Sequence, residues 1–401
     1  MILPPGINKA TGLAAALQEL GVSRHNVVAV GDAENDHALL DTAEVGVAVA
    51  NAVPMLKERA DLVTERDHGA GVAELIDQLI ADDFHTLTPQ LTRHHLVLGQ
   101  SQAEDREFLL PPQGINILVT GSTGSGKTQI AGAWVEQLNE AAYQYCAIDP
   151  EGELESLPDA VVLGSHEQVP DVEEVLKLLE SPQQNVAVCL RGVPTQERPR
   201  WFRSLAARLD EMRAHAGRPH WLVLYQAHQV LPQSTTSAET AWSSWKDGLL
   251  LVTDDPQRVA RSALQELDVI VAIGEGIERL LHVTAEAIDT PLKGIDPQRL
   301  SPGEAVVWDR RFGAPPTILR VARAKVERSR EHRTVVAGEL DARASFYFRG
   351  AERKLNLRAQ NLVSFLQLAA GVDHDTWSYH LQQGDYSTWL RNAVGDDTLG
   401  D

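Results

Sequence analysis

The octapeptide GSTGSGKT at residues 121–128 restricts the possible fold of this chain more than any other feature. It fits G-x-x-x-x-G-K-[ST], with Gly121, Gly126, Lys127 and Thr128 at the defining positions. The apolar run INILVT (115–120) precedes it, and the helix-like run TQIAGAWVEQLNEA follows. Strand, glycine loop and helix in that order make a phosphate cradle. The glycines let successive backbone N–H groups face phosphate oxygens, and the helix N-terminus adds partial positive charge. Gly121, Ser122, Thr123, Gly124, Ser125, Gly126, Lys127 and Thr128 are therefore expected to hold ATP or another nucleoside triphosphate. Lys127 is expected to reach the β- and γ-phosphates, and the Thr128 hydroxyl to ligate Mg²⁺.

Such a loop needs a parallel sheet to stand on, and the sequence supplies strand-like runs for one. YQYCAID (143–149), VAVCLRG (186–192), HWLVLY (220–225), GLLLVT (248–253) and DVIVAIG (268–274) are separated mostly by helical segments. A second alternation comes earlier: KATGLAAALQEL (9–20) has helical spacing, NVVAVG (26–31) is strand-like, DHALLDTA (36–43) helical, VGVAVA (45–50) strand-like and GVAELIDQLIADD (71–83) helical. This is the pattern of an α/β layer fold. HHLVLGQ (94–100) and REFLLPP (106–112) are expected to pair as a hairpin. The tail is rich in Trp, Tyr, Phe, Asn and Gln, and LNLRAQNLVSFLQLAAG (355–371) reads as helical. A chain of 401 residues accommodates two or three domains. The expected division is 1–83, a linker or hairpin at 84–113, a P-loop domain at 114–325 and a small, mainly helical domain at 326–401.

The formal net charge of −20 repels polyanions at long range and counts against broad nucleic-acid binding, though not against a local basic channel. No basic stretch followed by an apolar one opens the chain, and no apolar run approaches the roughly 18–20 residues that span a bilayer. A cytoplasmic protein that does not enter the membrane is expected. Two cysteines, Cys146 and Cys189, fit a reducing compartment and read as buried apolar thiols.

Two further motifs carry family resemblances. GRPHWLVLYQAHQVLP (217–232) resembles the segment of HerA/FtsK-type ATPases in which a strand ends in Asp-Glu-Ala-His, and CAIDPEGELESL (146–157) resembles the Asp-Pro-Glu-Gly segment of the same group. The resemblance covers about residues 94–325. It implies a P-loop ATPase domain, an acidic pair serving Mg²⁺ and the attacking water, and a ring-forming homo-oligomer. Here Tyr225 stands at the Asp position and Gln226 at the Glu position. A phenol poorly replaces a carboxylate in ordering hydrated Mg²⁺, and an amide is no general base. Asp149 and Glu151 either compensate or form a solvated turn, and His228 keeps its family position.

GDAENDHALL (31–40), with Lys9 upstream, is similar to the Mg²⁺ loop of Cof-type haloacid dehalogenase phosphatases. Carried over by position, Asp32 and Asp36 are the metal residues, Asn35 belongs to the loop, and Lys9 stabilises a transferring phosphoryl group. The similarity spans about residues 5–80, and MILPPGIN before Lys9 contains no aspartate nucleophile. Either the chain is truncated or another polypeptide supplies the missing half. A sheet lacking its central strand leaves an exposed edge, so weak autonomous stability or a protein partner at residues 1–80 is expected. From residue 5 onward the chain resembles proteins that fuse a Cof-type phosphatase to a HerA-type ATPase. In the tail, Arg349, Arg358, Trp377 and Trp389 form either a partner surface or part of a small helical core. Three functions stay open: a nucleotide-binding module with weak or absent hydrolysis, an active ATPase using unconventional acids, and a Mg²⁺-dependent phosphatase completed by the missing half.

Overall fold

The computed structural model describes residues 7–84, 86–87, 91–101, 105–152, 157, 159–233, 245, 247–292, 300–301, 303–322, 345–351, 355, 357–359, 361–369 and 371–391. The chain forms two compact units, Met1–Ala324 and Lys325–Asp401. The α/β architecture expected from the alternating runs is what forms.

The first unit begins with helix α1 (Lys9–Leu20), capped by Asn8, whose side chain accepts from the Thr11 amide. Strands β1 (Val28–Gly31), β2 (Val45–Ala48) and β3 (Leu62–Val63) then build a parallel sheet in the order β1-β2-β3. Helices α2 (His37–Thr42), α3 (Pro54–Arg59) and α4 (His68–Asp82) are interleaved with and follow these strands. Val47 and Ala48 are fully buried in this sheet. Strand β1 lies at its edge, and α1 buries none of its residues.

The larger sheet is 11-stranded. Its centre is β6 (Asn116–Gly121), which leads into the P-loop and helix α5 (Lys127–Glu140). Around it stand β7 (Tyr145–Asp149), β8 (Ala160–Leu163), β9 (Asn185–Cys189), β10 (Trp221–Leu224), β11 (Leu249–Thr253) and β12 (Val269–Ile273). From β12 through β6, β11, β10, β7 and β9 to β8 every pairing is parallel. Helices α6 (Val172–Leu179), α7 (Arg198–Ala216), α8 (Arg261–Gln265) and α9 (Ile277–Ala287) complete the layers. The central strands are buried throughout and mostly apolar because helices cover both faces. One face packs Leu118, Leu222, Leu224 and Leu251 against Phe202 and Leu205 of α7; the other packs Ile117, Val119, Val223 and Tyr225 against Ile130 and Trp134 of α5.

Beyond β12 the sheet turns antiparallel through β13 (Glu304–Asp309), β14 (Thr317–Val321), β4 (Leu96–Ser101) and β5 (Arg106–Leu110). The β4–β5 hairpin is thus the margin of the large sheet. No described helix is long and apolar enough to cross a membrane.

The two sheets of this unit meet through the residues that precede their strands. The His25 ring stacks on Tyr143 at 3.8 Å, and the Tyr143 hydroxyl donates to Glu44 at 3.0 Å. Arg218 donates to the Gly21 carbonyl at 2.8 Å, and His220 Nε2 lies 3.2 Å from Asn26 Oδ1. His25 and Asn26 lead into β1, Tyr143 into β7, and Arg218 and His220 into β10. The contact therefore joins N-terminal strand ends and leaves both sets of C-terminal ends, with their loops, on sides away from it.

In the second unit, β15 (Phe346–Phe348) pairs antiparallel with β16 (Leu357–Ala359), followed by α10 (Leu362–Ala369), α11 (His374–Gln383) and α12 (Asp385–Trp389). The helical expectation for 355–371 is corrected at its start, where residues 357–359 extend because Phe346–Phe348 offers them a strand partner. Phe346, Phe348, Phe365, Tyr386 and Trp389 form the core, with Trp377 packed against it.

Candidate functional site at the P-loop

Strand β6 delivers Gly121 into a space with no room for a side chain: an added Cβ would stand 2.2 Å from the Ile273 carbonyl oxygen. Gly274, at the end of β12, closes the same wall, since its Cβ would lie 2.7 Å from that of Ser125. The backbone of β12 thereby braces the loop from behind. Lys127 is 8% exposed and donates to the carbonyls of Gly121 and Ser122, each at 2.9 Å. Its ammonium is folded onto the loop, where an arriving phosphate can replace those carbonyls. Ser122, Thr123, Gly124 and Thr128 are exposed at the mouth, with Ser125 and Gly126 half-buried behind them.

Sheet order places β11 between β6 and β10, so the end of β11 flanks the loop on the side opposite β12. There the Thr123 hydroxyl is 3.5 Å from Asp254 Oδ2. His228 Nδ1 lies 2.9 Å from the Thr253 hydroxyl and 3.7 Å from Asp254 Oδ1. Burial pushes the His228 pKa down, which keeps the ring neutral. Asp254 was not among the sequence-derived candidates. Its signal was the run LLLVTDD at 249–255, a buried strand ending in two acids.

Tyr225 follows β10 with 4% of its surface exposed. Its ring belongs to the cluster under α5, and its hydroxyl has no hydrogen-bond partner among the described residues. Burial, with the charge of Asp149 in support, pushes the phenol pKa up, so it remains a neutral O–H donor. Gln226 turns the chain with a positive φ of 44°. Asp149, at the end of β7, accepts from the amides of Glu151 at 3.1 Å and Gly152 at 2.9 Å. Glu151 accepts from the Gln229 amide at 2.7 Å and pairs with Arg198 at 3.1 Å. The Gln229 bond, joined by Arg198, holds its carboxyl below the usual range. Of the two compensating acids considered from sequence, one caps its own turn and the other neutralises a buried arginine.

The fit to Mg²⁺ is therefore poor at this loop. Thr128 offers one oxygen and Asp254 lies beside Thr123, but the position that the HerA/FtsK-type resemblance gives to a carboxylate holds the neutral phenol of Tyr225.

In the GD loop, Asp36 is 3% exposed and forms an ion pair with Lys9. Its second oxygen accepts from the amides of Asp32 at 3.1 Å and Ala33 at 3.2 Å. Burial opposes the charge of Asp36, but Lys9 and the two amides outweigh it and hold the carboxyl low. Asp32 and Asn35 are exposed. The structure thus brings Lys9 and Asp36 together and leaves Asp32 facing solvent, so Mg²⁺ here would need oxygens beyond this loop. Among the described residues no cluster of three or more His, Cys, Asp or Glu is arranged to hold a metal.

Elsewhere, Trp389 is buried in its core, Arg358 donates to the Ser345 hydroxyl at 2.9 Å, and Arg349 lies over the Tyr347 ring. Trp389 thus belongs to the core, whereas Arg349 and Arg358 are exposed. Cys146 is buried with its thiol pushed up to about 12, and Cys189 is half-buried with its pKa also raised by burial.

The strand, loop and helix define the class of this site as a P-loop on a parallel sheet. Comparison with known proteins adds a second class for the first sheet. Residues 1–76 match the family model described as haloacid dehalogenase-like hydrolase. A phosphoglycolate phosphatase of Saccharolobus solfataricus is 45% identical over 84 residues, which are 21% of this chain and 36% of that protein. The chain thus spans about a third of the length of the curated relatives it matches. The genome packaging NTPase B204 of Sulfolobus turreted icosahedral virus 2, solved with ATP-gammaS, is similar at 16% identity and TM-score 0.38, covering 52% of this chain and 98% of that one. VirB4 of Thermoanaerobacter pseudethanolicus is similar at 11% identity and TM-score 0.42, covering 57% and 96%. At those scores the two likenesses carry no weight for function. A haloacid dehalogenase-like segment followed by a P-loop sheet is consistent with a fusion of the two.

Proposed function

We propose that this chain is a nucleotide-binding P-loop protein with impaired or absent hydrolysis, acting as a regulatory or assembly module. The observation that carries the reading is the replacement of the catalytic acids by Tyr225 and Gln226, with the Tyr225 hydroxyl buried and unpartnered among the described residues. Gly121–Thr128 retain the binding half of the machinery, while Glu151 is held by Gln229 and Arg198. Loss of a general base alone costs about 10²–10⁴ in rate. Binding and turnover are thereby separable. The test is calorimetric titration with ATP: the native chain binds, and Lys127→Ala does not. Binding that survives Lys127→Ala contradicts the reading.

In this proposal the first sheet is a retained phosphatase half that flanks the P-loop domain. The preassembled Lys9–Asp36 pair supports a second reading, a Mg²⁺-dependent phosphatase once a nucleophile is supplied from outside residues 7–84. Release of phosphate from a small phosphomonoester, abolished by Asp32→Asn, would favour it. A homo-oligomer, a further partner at residues 1–80 and a cytoplasmic location belong to the same proposal. The net charge of −20 weighs against nucleic acid as a general ligand.

A further inference from the structure

The disagreement between an intact phosphate loop and a failed metal site has its own consequence, which rests on the nucleotide-binding reading above. Among the described residues, three carboxylates at strand ends near the loop, Asp149, Glu151 and Asp254, already have protein partners. The position after β10 holds a phenol. Asp149 accepts two backbone amides of its own turn. Glu151 is shared between Gln229 and Arg198, and Arg198 is itself buried. Asp254 faces the Thr123 hydroxyl across the outer rim of the loop and lies within reach of His228.

On the sheet face that α5 covers, directly after β10, stands Tyr225. It is nine-tenths or more buried, protonated and without a partner among the described residues. A buried donor with no acceptor is unfavourable, and such groups in native folds mark a missing ligand or water. The sheet face it occupies is the one covered by α5, whose first residues, Lys127 and Thr128, are the phosphate-facing end of that helix. A hydrated cation gains much less from a neutral phenol than from a carboxylate, whereas a phosphate oxygen can accept the phenol's hydrogen bond.

We infer that this P-loop binds nucleotide without requiring a divalent cation, with the Tyr225 hydroxyl donating to the nucleotide's phosphate in the region a metal's hydration shell would occupy. Lys127 and the loop amides neutralise the remaining charge. The phosphate that draws the Lys127 ammonium off the Gly121 and Ser122 carbonyls also gives Tyr225 its acceptor.

The experiment is titration of the full chain with ATP in millimolar Mg²⁺ and again in EDTA, read by calorimetry and by ligand-induced Tm shift. The expected result is a Kd that changes less than about threefold between buffers. Tyr225→Phe keeps the ring and loses the donor, and should weaken binding about tenfold or more in both buffers. Tyr225→Asp should make binding depend on Mg²⁺. If EDTA weakens native binding about tenfold or more, the inference is overturned. If Asp254→Asn then removes that dependence, Asp254 is the metal's carboxylate. No binding in either buffer overturns the nucleotide-binding reading along with it, whereas binding confined to Mg²⁺ overturns only the inference.

Discussion

Glu151 shows how a side chain at a motif position can be engaged by other partners, here Gln229 and Arg198. Its position after a parallel strand suits an acid serving a phosphate site, and the sequence left open whether it compensates for Gln226. The structure gives it a different occupation, because Arg198 on α7 is 7% exposed and pairs with it. Glu151→Gln should therefore lower stability modestly, by about 1 kcal/mol or less given its solvent access, and leave nucleotide affinity unchanged. Thermal melts and ATP titration of the variant check this. A variant with native Tm and lost turnover would make Glu151 a catalytic base instead. Asp254 illustrates the converse. Its proximity to Thr123 is created by strand order, which sets β11 beside β6, and not by any local motif.

At the scale of elements, the strands of the parallel core were legible because each is a short apolar run bounded by polar or glycine residues. Helix α1 was read from Lys9 to Leu20, as it forms. Less visible were β8, β13 and β14, and the strand at 357–359, whose extended state depends on pairing with Phe346–Phe348 rather than on local periodicity. The junction between the two sheets was not foreseen at all, since it joins loop residues 99 or more positions apart in sequence. It also carries a pH dependence. His220 Nδ1 accepts the Gln144 amide at 2.9 Å, so the ring proton sits on Nε2, facing Asn26. Burial, with His25, Arg218 and Arg213 nearby, pushes its pKa well below the usual value. The unfolded chain takes up that proton near about pH 6.5, so the stabilisation is complete above this pH and is lost as pH falls below it. Tm measured from about pH 7 down to about pH 5 should fall more steeply for the native chain than for His220→Gln. Parallel curves would remove His220 from the account. His94 and His95, also depressed by burial, contribute to both curves alike.

For the molecule as a whole, the haloacid dehalogenase-like segment and the P-loop sheet share one compact unit, joined through the Tyr143–His25–Glu44 and Arg218–Gly21 contacts. Part of the surface that the sequence assigned to a partner is thus covered by the chain itself. Strand β1 nevertheless remains at a sheet edge, and α1 buries no residue. Limited proteolysis should cut within α1 before any site in the P-loop sheet. Equal resistance of residues 9–20 and of β6–β12 would contradict this.

The central claim is that this P-loop binds nucleotide without turning it over at a normal rate. Phosphate release, measured in an ATP-saturated sample whose occupancy has been established by titration, tests it most directly. The account predicts release by the native chain close to that of Lys127→Ala, despite full occupancy. Robust release that Lys127→Ala abolishes, and that Asp254→Asn or Glu151→Gln also removes, would contradict it and make this chain an ATPase with relocated acids.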